Sequence, residues 1–330
     1  METGAFCPIA IDRIDESDST YRITTESDPA GLLKSIAAVG ILSPPVLLPS
    51  GDRWTVIAGF RRIAALKRAG GTQAVCRVLP ARCSPLECAR IAIADNAGQR
   101  KLNPVELSRA YRLLGDRIAS SAGLWQEADA LGLPCHPKLI EKVRRLCDHP
   151  APIQKGVITD RISLSVAREL EQYDDTEAET LAGWFLTVPM SLNRQRETLT
   201  MVREIARREG RPVMSVLEAS ELASIVADPR MDPAQKGRVL RAALRQRRFP
   251  HLTRAEQEFE KRRKQLGLAE GMELAAPRSF EGGRYELKLS FRSADELEAM
   301  SDAARRLSQS RELGKMLGEE GEPDSKPQDA

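Results

Sequence analysis

Between Leu124 and about Gly210 the chain carries no strand pattern. Apolar positions recur at three and four residues through LWQEADAL, PKLIEKVRRLC, LSVARELEQY and QRETLTMVREIARR, the spacing of amphipathic helices. So long a helical block cannot contribute to a sheet, and any strands must lie on either side of it. Upstream, ILSPPVLLP and RWTVIAGF flank Ser50-Gly51-Asp52 as two short strands around a hairpin, and QAVCRVLPA supplies another. These alternate with helices read from Ala30 to Val39, closed by Gly40, and from Arg61 to Ala69, closed by Gly70-Gly71. Two more run from Pro85 to Asp95 and from Pro104 to Arg117, the second opened by Asn103 as N-cap with Glu106 third. The predicted class is α+β, with a mixed α/β unit ahead of an all-helical middle.

Inside the helical block, Leu131-Gly132-Leu133-Pro134 separates two helices by a tight turn, as a helix-turn-helix requires. Helical spacing continues from Pro212 to Phe249, and Leu252 to Leu266 reads as a highly charged spacer helix. The pattern then changes. Glu281-Gly282-Gly283 signals a hairpin, and Tyr285, Leu287, Leu289 and Phe291 alternate with Glu286, Lys288, Ser290 and Arg292 as a half-buried strand. Ser293 caps an amphipathic helix with Glu296 in the capping-box position. A hairpin and one helix bury little apolar surface alone, so a partner copy is expected. The acidic end, GEEGEPDSKPQDA, reads as disordered.

A chain of 330 residues can hold two or three such domains. With 42% hydrophobic and 29% charged residues it has the balance of a soluble globular protein. No apolar run approaches the length of a membrane span, and the acidic N-terminus lacks the basic start of a signal peptide, so neither export nor membrane spanning is expected. Net charge is only +3, yet 18 basic and 10 acidic residues fall between Arg194 and Lys264, whereas 3 basic and 6 acidic fall between Arg311 and Ala330. Aromatic residues are only 4%, which disfavours base stacking on an exposed sheet and directs any nucleic-acid contact to Arg and Lys. Among Cys7, Cys76, Cys83, Cys88, Cys135 and Cys147 there is no C-x-x-C pair. Cys135-His136 and Cys147-His149 raise a zinc site, but they fall on the helices read for DNA, and buried or incidental reduced thiols are the expectation.

The chemistry concentrates at Gly59-Phe60-Arg61-Arg62, between the strand WTVIA and the helix IAALKRA. Helix-terminal amides favour phosphate, glycine permits close approach, and guanidinium groups grip phosphate oxygens in pairs. The competing reading is two solvated first-turn arginines, although positive charge there opposes the helix dipole. Further along, Pro137 to Cys147 is a candidate DNA-recognition helix: Lys138, Lys142, Arg144 and Arg145 are available to the groove, while Leu139, Val143 and Leu146 form the complementary apolar face. An ordinary charged helix face is the alternative. Arg194, Arg196, Arg203, Arg207 and Arg208 offer a supporting backbone grip, with Glu197 and Glu204 able to neutralise part of it.

Gly59-Phe60-Arg61-Arg62-Ile63-Ala64-Ala65 resembles the G-E-R-R-x-R-A box of the ParB family. Gly40-Ile41-Leu42-Ser43-Pro44-Pro45-Val46 is similar to its G-x-x-Q-P-x-x-V segment, and Ala94-Asp95-Asn96 through Leu102-Asn103-Pro104-Val105-Glu106 to its E-N-L-Q-R-x-x-L-N-P-x-E segment. Asp160-Arg161-Ile162-Ser163 with Val166-Ala167-Arg168 resembles the G-K-I-S and H-A-R stretch beyond its helix-turn-helix. Four motifs stand in the family's order, and the match covers about residues 8 to 172. The resemblance implies a ParB/sulfiredoxin-like fold for the first domain and a DNA clamp that binds CTP and hydrolyses it slowly. It places a nucleotide pocket at Gly40, Ser43, Pro44, Gly59, Phe60, Arg61, Arg62, Asp95 and Asn96, with Asp95 and Asn96 approaching Mg2+. Phe60, Ser43 and Asp95 replace the family glutamate, glutamine and glutamate, and Gln99 stands where an arginine is expected, with Arg100 one place later. These departures bear on CTP specificity and on turnover.

The implied domains are 1–110, nucleotide-binding; 111–250, helical and DNA-binding; 251–271, a charged helical linker; 272–310, a strand-helix dimerisation domain; and 311–330, the acidic tail. The implied partners are double-stranded DNA, a second copy through the C-terminal domain and a ParA-type ATPase, in a cytoplasmic, nucleoid-associated setting for chromosome or plasmid partition. The rival expectation is a transcriptional regulator with a degenerate nucleotide pocket. A nuclease would need several metal-poised carboxylates, which Asp95 alone does not supply. Sulfiredoxin chemistry would need a thiol where Phe60 stands.

Overall fold

The computed structural model describes residues 4–26, 28–277, 280 and 283–317. The chain divides into two compact units, Met1–Arg196 and Glu197–Ala330.

The first unit opens with a five-stranded mixed sheet of β1 (Ala5–Ala10), β2 (Ile14–Asp15), β3 (Val46–Ser50), β4 (Arg53–Ala58) and β5 (Gln73–Val78), in the order β1-β5-β3-β4-β2. β3 and β4 form the expected hairpin, and β1 pairs antiparallel with β5 while β3 and β5 run parallel. Three differences from the sequence reading have local causes. β3 begins at Val46 rather than Ile41, because Pro44-Pro45 has no N–H to give a ladder. β1 and β2 carry no strand signal in the sequence: one is interrupted by Pro8 and the other is two residues long. Pro8 is tolerated because β1 lies at the sheet edge.

Alternation along the central strands separates two cores. Leu47 and Val56 face a cluster with Ile9, Ile63 and Cys76, while their neighbours Val46 and Ile57 face a second cluster with Cys88, Ile93, Leu107 and Tyr111. The helices of the unit are α1 (Ala30–Val39), α2 (Phe60–Arg68), α3 (Pro85–Ala97), α4 (Pro104–Gly115), α5 (Ser121–Ala130), α6 (Pro137–Val143), α7 (Ala151–Ile158), α8 (Leu164–Leu170) and α9 (Asp175–Thr187). α2 packs in the first cluster through Ile63, whereas α3 and α4 build the second. Both of the latter open with capping boxes, Ser84 with Glu87 and Asn103 with Glu106, each with proline at the first helical position. α4 reaches into the helical block, where the Tyr111 hydroxyl donates to the Pro134 carbonyl in the turn between α5 and α6.

Glu106 goes beyond a cap. It is fully buried, and its carboxylate accepts both Arg100 Nη groups (2.6 and 2.7 Å), the Thr25 and Asn103 N–H groups (3.0 Å each) and the Thr25 hydroxyl (3.2 Å). Burial pushes this carboxyl up, but the Arg100 guanidinium and the N–H donors outweigh it and hold the group below the ordinary glutamate range. A depressed folded-state value means that the unfolded chain binds the proton first, so this stabilisation is present above the ordinary glutamate range and is lost as pH falls through and below it. Thermal melts between pH 6 and pH 3 are expected to show a steeper acid loss in the wild type than in Glu106→Gln; equal slopes would contradict the assignment.

The remaining helices are α10 (Leu192–Glu209), α11 (Val213–Leu217), α12 (Ser220–Ala227), α13 (Pro233–Arg248), α14 (Pro250–Gln265), α15 (Ala294–Ser308) and α16 (Arg311–Leu317), with an antiparallel pair of β6 (Met272–Ala275) and β7 (Glu286–Leu289). α14, read from its charge as a spacer, buries Phe259 in a cluster with Leu274 and Met316, and the Phe259 ring stacks on Tyr285 at 6.1 Å. The acidic tail expected from residue 311 is helical as far as Leu317, because Met316 belongs to that cluster, and the rest of the tail lies outside the described residues. Of the hairpin signal, Glu281 and Gly282 also lie outside them. Leu287 and Phe291, expected on a half-buried face, are 39% and 50% exposed.

Candidate functional site: an arginine-lined cleft and a basic helix end

Gly59 enters α2 in the left-handed region (φ +97°), and a Cβ there would stand 3.0 Å from Pro45 Cα, so both backbone and space call for glycine. The first intrahelical bond of α2 runs from Ile63 N–H to Gly59 O, which leaves the Phe60, Arg61 and Arg62 N–H groups ahead of it at the helix mouth. That mouth opens on a cleft of about 260 Å³. Its wall combines the α1 end and following loop (Gly40, Ser43), the α2 start (Gly59, Phe60, Arg61, Arg62) and the α3 end (Asp95, Asn96), together with Gln99, Arg100 and Thr24. Every predicted pocket residue except Pro44 lines it; Pro44 borders it through a carbonyl 3.5 Å from Arg62 Nη1. Thr24, Arg100 and the apolar α1 residues Leu32 and Ile36 are additions that no local sequence signal marks as pocket residues.

Neither arginine is a solvated first-turn residue. Arg62 is only 13% exposed: Nη1 donates to Ser43 O (2.6 Å) and Ser43 Oγ (2.7 Å), and Nη2 to Asp95 Oδ2 (2.6 Å). Arg61 pairs with Glu26 at 2.5 Å, and burial leaves its Nε without a hydrogen-bond partner. These pairs offset the helix-dipole penalty noted above. Phe60 packs against the first sheet cluster, with the Arg22 guanidinium 5.8 Å from its ring centre. Asp95 also faces Gln99 Nε2 (3.4 Å), and the Asn96 amide donates to Ala92 O (2.9 Å), so that Oδ1 is the Asn96 atom that could ligate a cation. One carboxylate and one carboxamide suit a Mg2+ held chiefly by phosphate and water oxygens. Among the described residues no three His, Cys, Asp or Glu side chains gather as a metal site, and no cysteine lines the cleft.

At the second candidate surface, Lys138, Lys142, Arg144 and Arg145 are all exposed, while Ile140, Val143 and Leu146 are buried. The helix expected to run to Cys147 ends at Val143 and gives way to a tight turn at Leu146–Asp148. Ser108 Oγ holds this end, donating to Arg144 O (3.2 Å) and accepting from Cys147 N–H (2.9 Å). Arg145 lies 3.6 Å from Glu171. Lys142 shares a groove with Ser163, Ser165, Arg168 and Arg196, a grouping that only tertiary structure makes. Of the later arginines, Arg196 pairs with Glu169 (2.6 Å) and Arg208 donates to the Arg247 and Arg248 carbonyls. Glu197 and Glu204 pair with Arg241 and Arg248 on α13 rather than neutralising their own helix.

The arrangement is that of an α+β domain with an arginine-lined cleft, followed directly by a helical block with an exposed basic helix end. The ParB N-terminal domain model matches residues 2–97. The probable chromosome 1-partitioning protein ParB of Deinococcus radiodurans is 31% identical over 205 residues, covering 61% of this chain and 67% of that protein. A probable chromosome-partitioning protein ParB of Chlamydia pneumoniae is 28% identical over 51% of this chain and 59% of its own length. The chain belongs to the ParB family, and its match spans between about half and two thirds of the length of these curated relatives. Similar solved structures include the Caulobacter crescentus ParB complexed with CTP-gamma-S (23% identity, 56% of this chain, 99% of that chain, TM-score 0.26). The same protein complexed to the centromeric parS site gives 19% identity over 58% of this chain and 97% of that one, with a TM-score of 0.32.

Proposed function

We propose that this chain is a DNA-binding partition protein whose first domain takes a nucleoside triphosphate with Mg2+ in the cleft. The observation that carries this reading is that Arg61, Arg62 and Arg100 line one cleft together with the N-terminus of α2, Asp95 and Asn96. Arginine side chains beside a helix N-terminus suit phosphate groups; a triphosphate, and CTP among them, is the choice that family membership supports. In this reading Arg61 and Arg62 exchange their carboxylate partners for phosphate oxygens, while Asp95 and Asn96 hold the cation. The bound Mg2+ would neutralise phosphate charge, and slow hydrolysis is the family's expectation. α5 and α6 form a helix-turn-helix that presents Lys138, Lys142, Arg144 and Arg145 to double-stranded DNA. The domain limits given above follow from this assignment. Exposed Leu287 and Phe291 support a second copy pairing through the C-terminal strand and helix.

The alternative, a DNA-binding regulator with a degenerate pocket, draws on the pairing of both box arginines with carboxylates of the same chain. Calorimetric titration of purified protein with each of the four triphosphates and Mg2+ separates the two. CTP is expected to bind best; no binding of any triphosphate would overturn the nucleotide reading and leave the regulator.

A further inference from the structure

An exposed glutamate at the third position of α4 would cap the helix as well as a buried one, and burying a carboxylate with its arginine seldom stabilises a fold more than an apolar residue would. Glu106 is nevertheless fully buried, and its neighbours show what the burial connects. On one side lies the cleft. Arg100 lines it, yet its guanidinium spans both Glu106 oxygens at 2.6 and 2.7 Å. The cleft-wall residues Ile23 and Thr24, with the adjoining Thr25, are pinned to the same helix, through Thr25 N–H to Glu106 (3.0 Å) and through Arg109 Nη1 to Thr24 O (2.8 Å). On the other side, two residues along α4, Ser108 ties down the end of α6 through Arg144 O and Cys147 N–H.

We infer that Glu106 is a positioning residue that passes occupancy of the cleft to the basic helix end. This rests on the proposal that the cleft takes a triphosphate. Arg100 has two alternative partners, the Glu106 carboxylate and an incoming phosphate. When phosphate takes the guanidinium, Glu106 keeps its N–H and hydroxyl donors but loses the guanidinium that spans both of its oxygens, with Arg109 left as the more distant positive charge. A buried carboxylate without that partner is costly, so the start of α4 resettles. Ser108 is half a turn away on the same rigid helix, and the α6 end follows it. The coupling therefore runs through one bistable contact rather than through mere proximity.

The test is amide hydrogen exchange over Pro137–Val143, with and without saturating Mg2+ and CTP, beside calorimetric affinities. In the wild type, nucleotide is expected to change exchange there by about fivefold or more. Glu106→Gln should bind nucleotide at least as tightly, since Arg100 is released, and lose that response. Ser108→Ala leaves Glu106, Arg100 and the cleft intact; it should keep the wild-type nucleotide affinity and also lose the response, and it decides the matter if the Gln variant fails to fold. A response retained in a folded Glu106→Gln, or in Ser108→Ala, overturns the inference. So does a wild type that binds CTP without any change over these residues, an outcome that leaves the nucleotide reading standing. A wild type that binds no triphosphate removes both.

Discussion

Alanine at both Arg61 and Arg62 is expected to abolish triphosphate binding, with at least a hundredfold loss of affinity in calorimetric titration. Hydrogen bonds to charged groups contribute roughly 1.5–3 kcal/mol each, and each 1.4 kcal/mol is about tenfold. The two single variants separate binding from folding. The Arg61–Glu26 pair is partly open to solvent, so Arg61→Ala should leave the thermal midpoint nearly unchanged. Arg62→Ala removes two bonds that hold Ser43 and leaves Asp95 without its ion-pair partner. A loss of about 1–2 kcal/mol would lower the midpoint by about 2–8 °C in a unit of this size. An expectation of unchanged stability, natural for exposed arginines, therefore holds for one residue and not for the other. Normal nucleotide binding by the double variant would refute the phosphate assignment.

Alanine at Lys138, Lys142 and Arg145 together is expected to eliminate specific DNA binding while sparing nucleotide affinity and the thermal midpoint, because all three side chains are exposed. Fluorescence anisotropy across a salt series reads the distinction between contacts. Loss of a phosphate contact lowers the salt slope by about 0.9 and weakens all sequences evenly, whereas loss of a base contact costs about 1–3 kcal/mol and relaxes specificity. Arg145 also faces Glu171, so Arg145→Ala alone should have the smallest effect of the three single changes. Unchanged operator affinity and salt slope in the triple variant would move the DNA surface to the groove around Ser163, Ser165, Arg168 and Arg196.

The local rules that set helix ends are readable one residue at a time, and they held at the starts of α3 and α4 and at the close of α1, though not at α6, which ends at Val143 rather than Cys147. Ser84-Pro85 and Asn103-Pro104 cap α3 and α4, and Gly40 closes α1. The Gly59 turn is legible for the same reason: its backbone demand is local. β1 escaped because its signal is not local. An edge strand with Pro8 inside it is stabilised by its pairing with β5, more than sixty residues away. The C-terminal strand shows the opposite failure, since alternation predicts a face to be covered without saying what covers it, and Leu287 and Phe291 stay exposed on this chain.

For the site, residue chemistry alone marked Gly59, Arg61 and Arg62 as a candidate anion-binding turn, because that property belongs to the side chains and to a helix start, whereas Asp95 and Asn96 entered as candidate cation ligands through the family resemblance. Only tertiary structure decided which charges meet. Glu26 and Asp95 take the two arginines, Arg100 reaches both the cleft and Glu106, and Ser108 holds the end of α6. Electrostatic pairing falls off over a few ångströms in space and carries no trace of separation along the chain. A partner 35 or 81 positions away, as Glu26 is from Arg61 and Thr25 from Glu106, is therefore assigned by the fold and not by any motif.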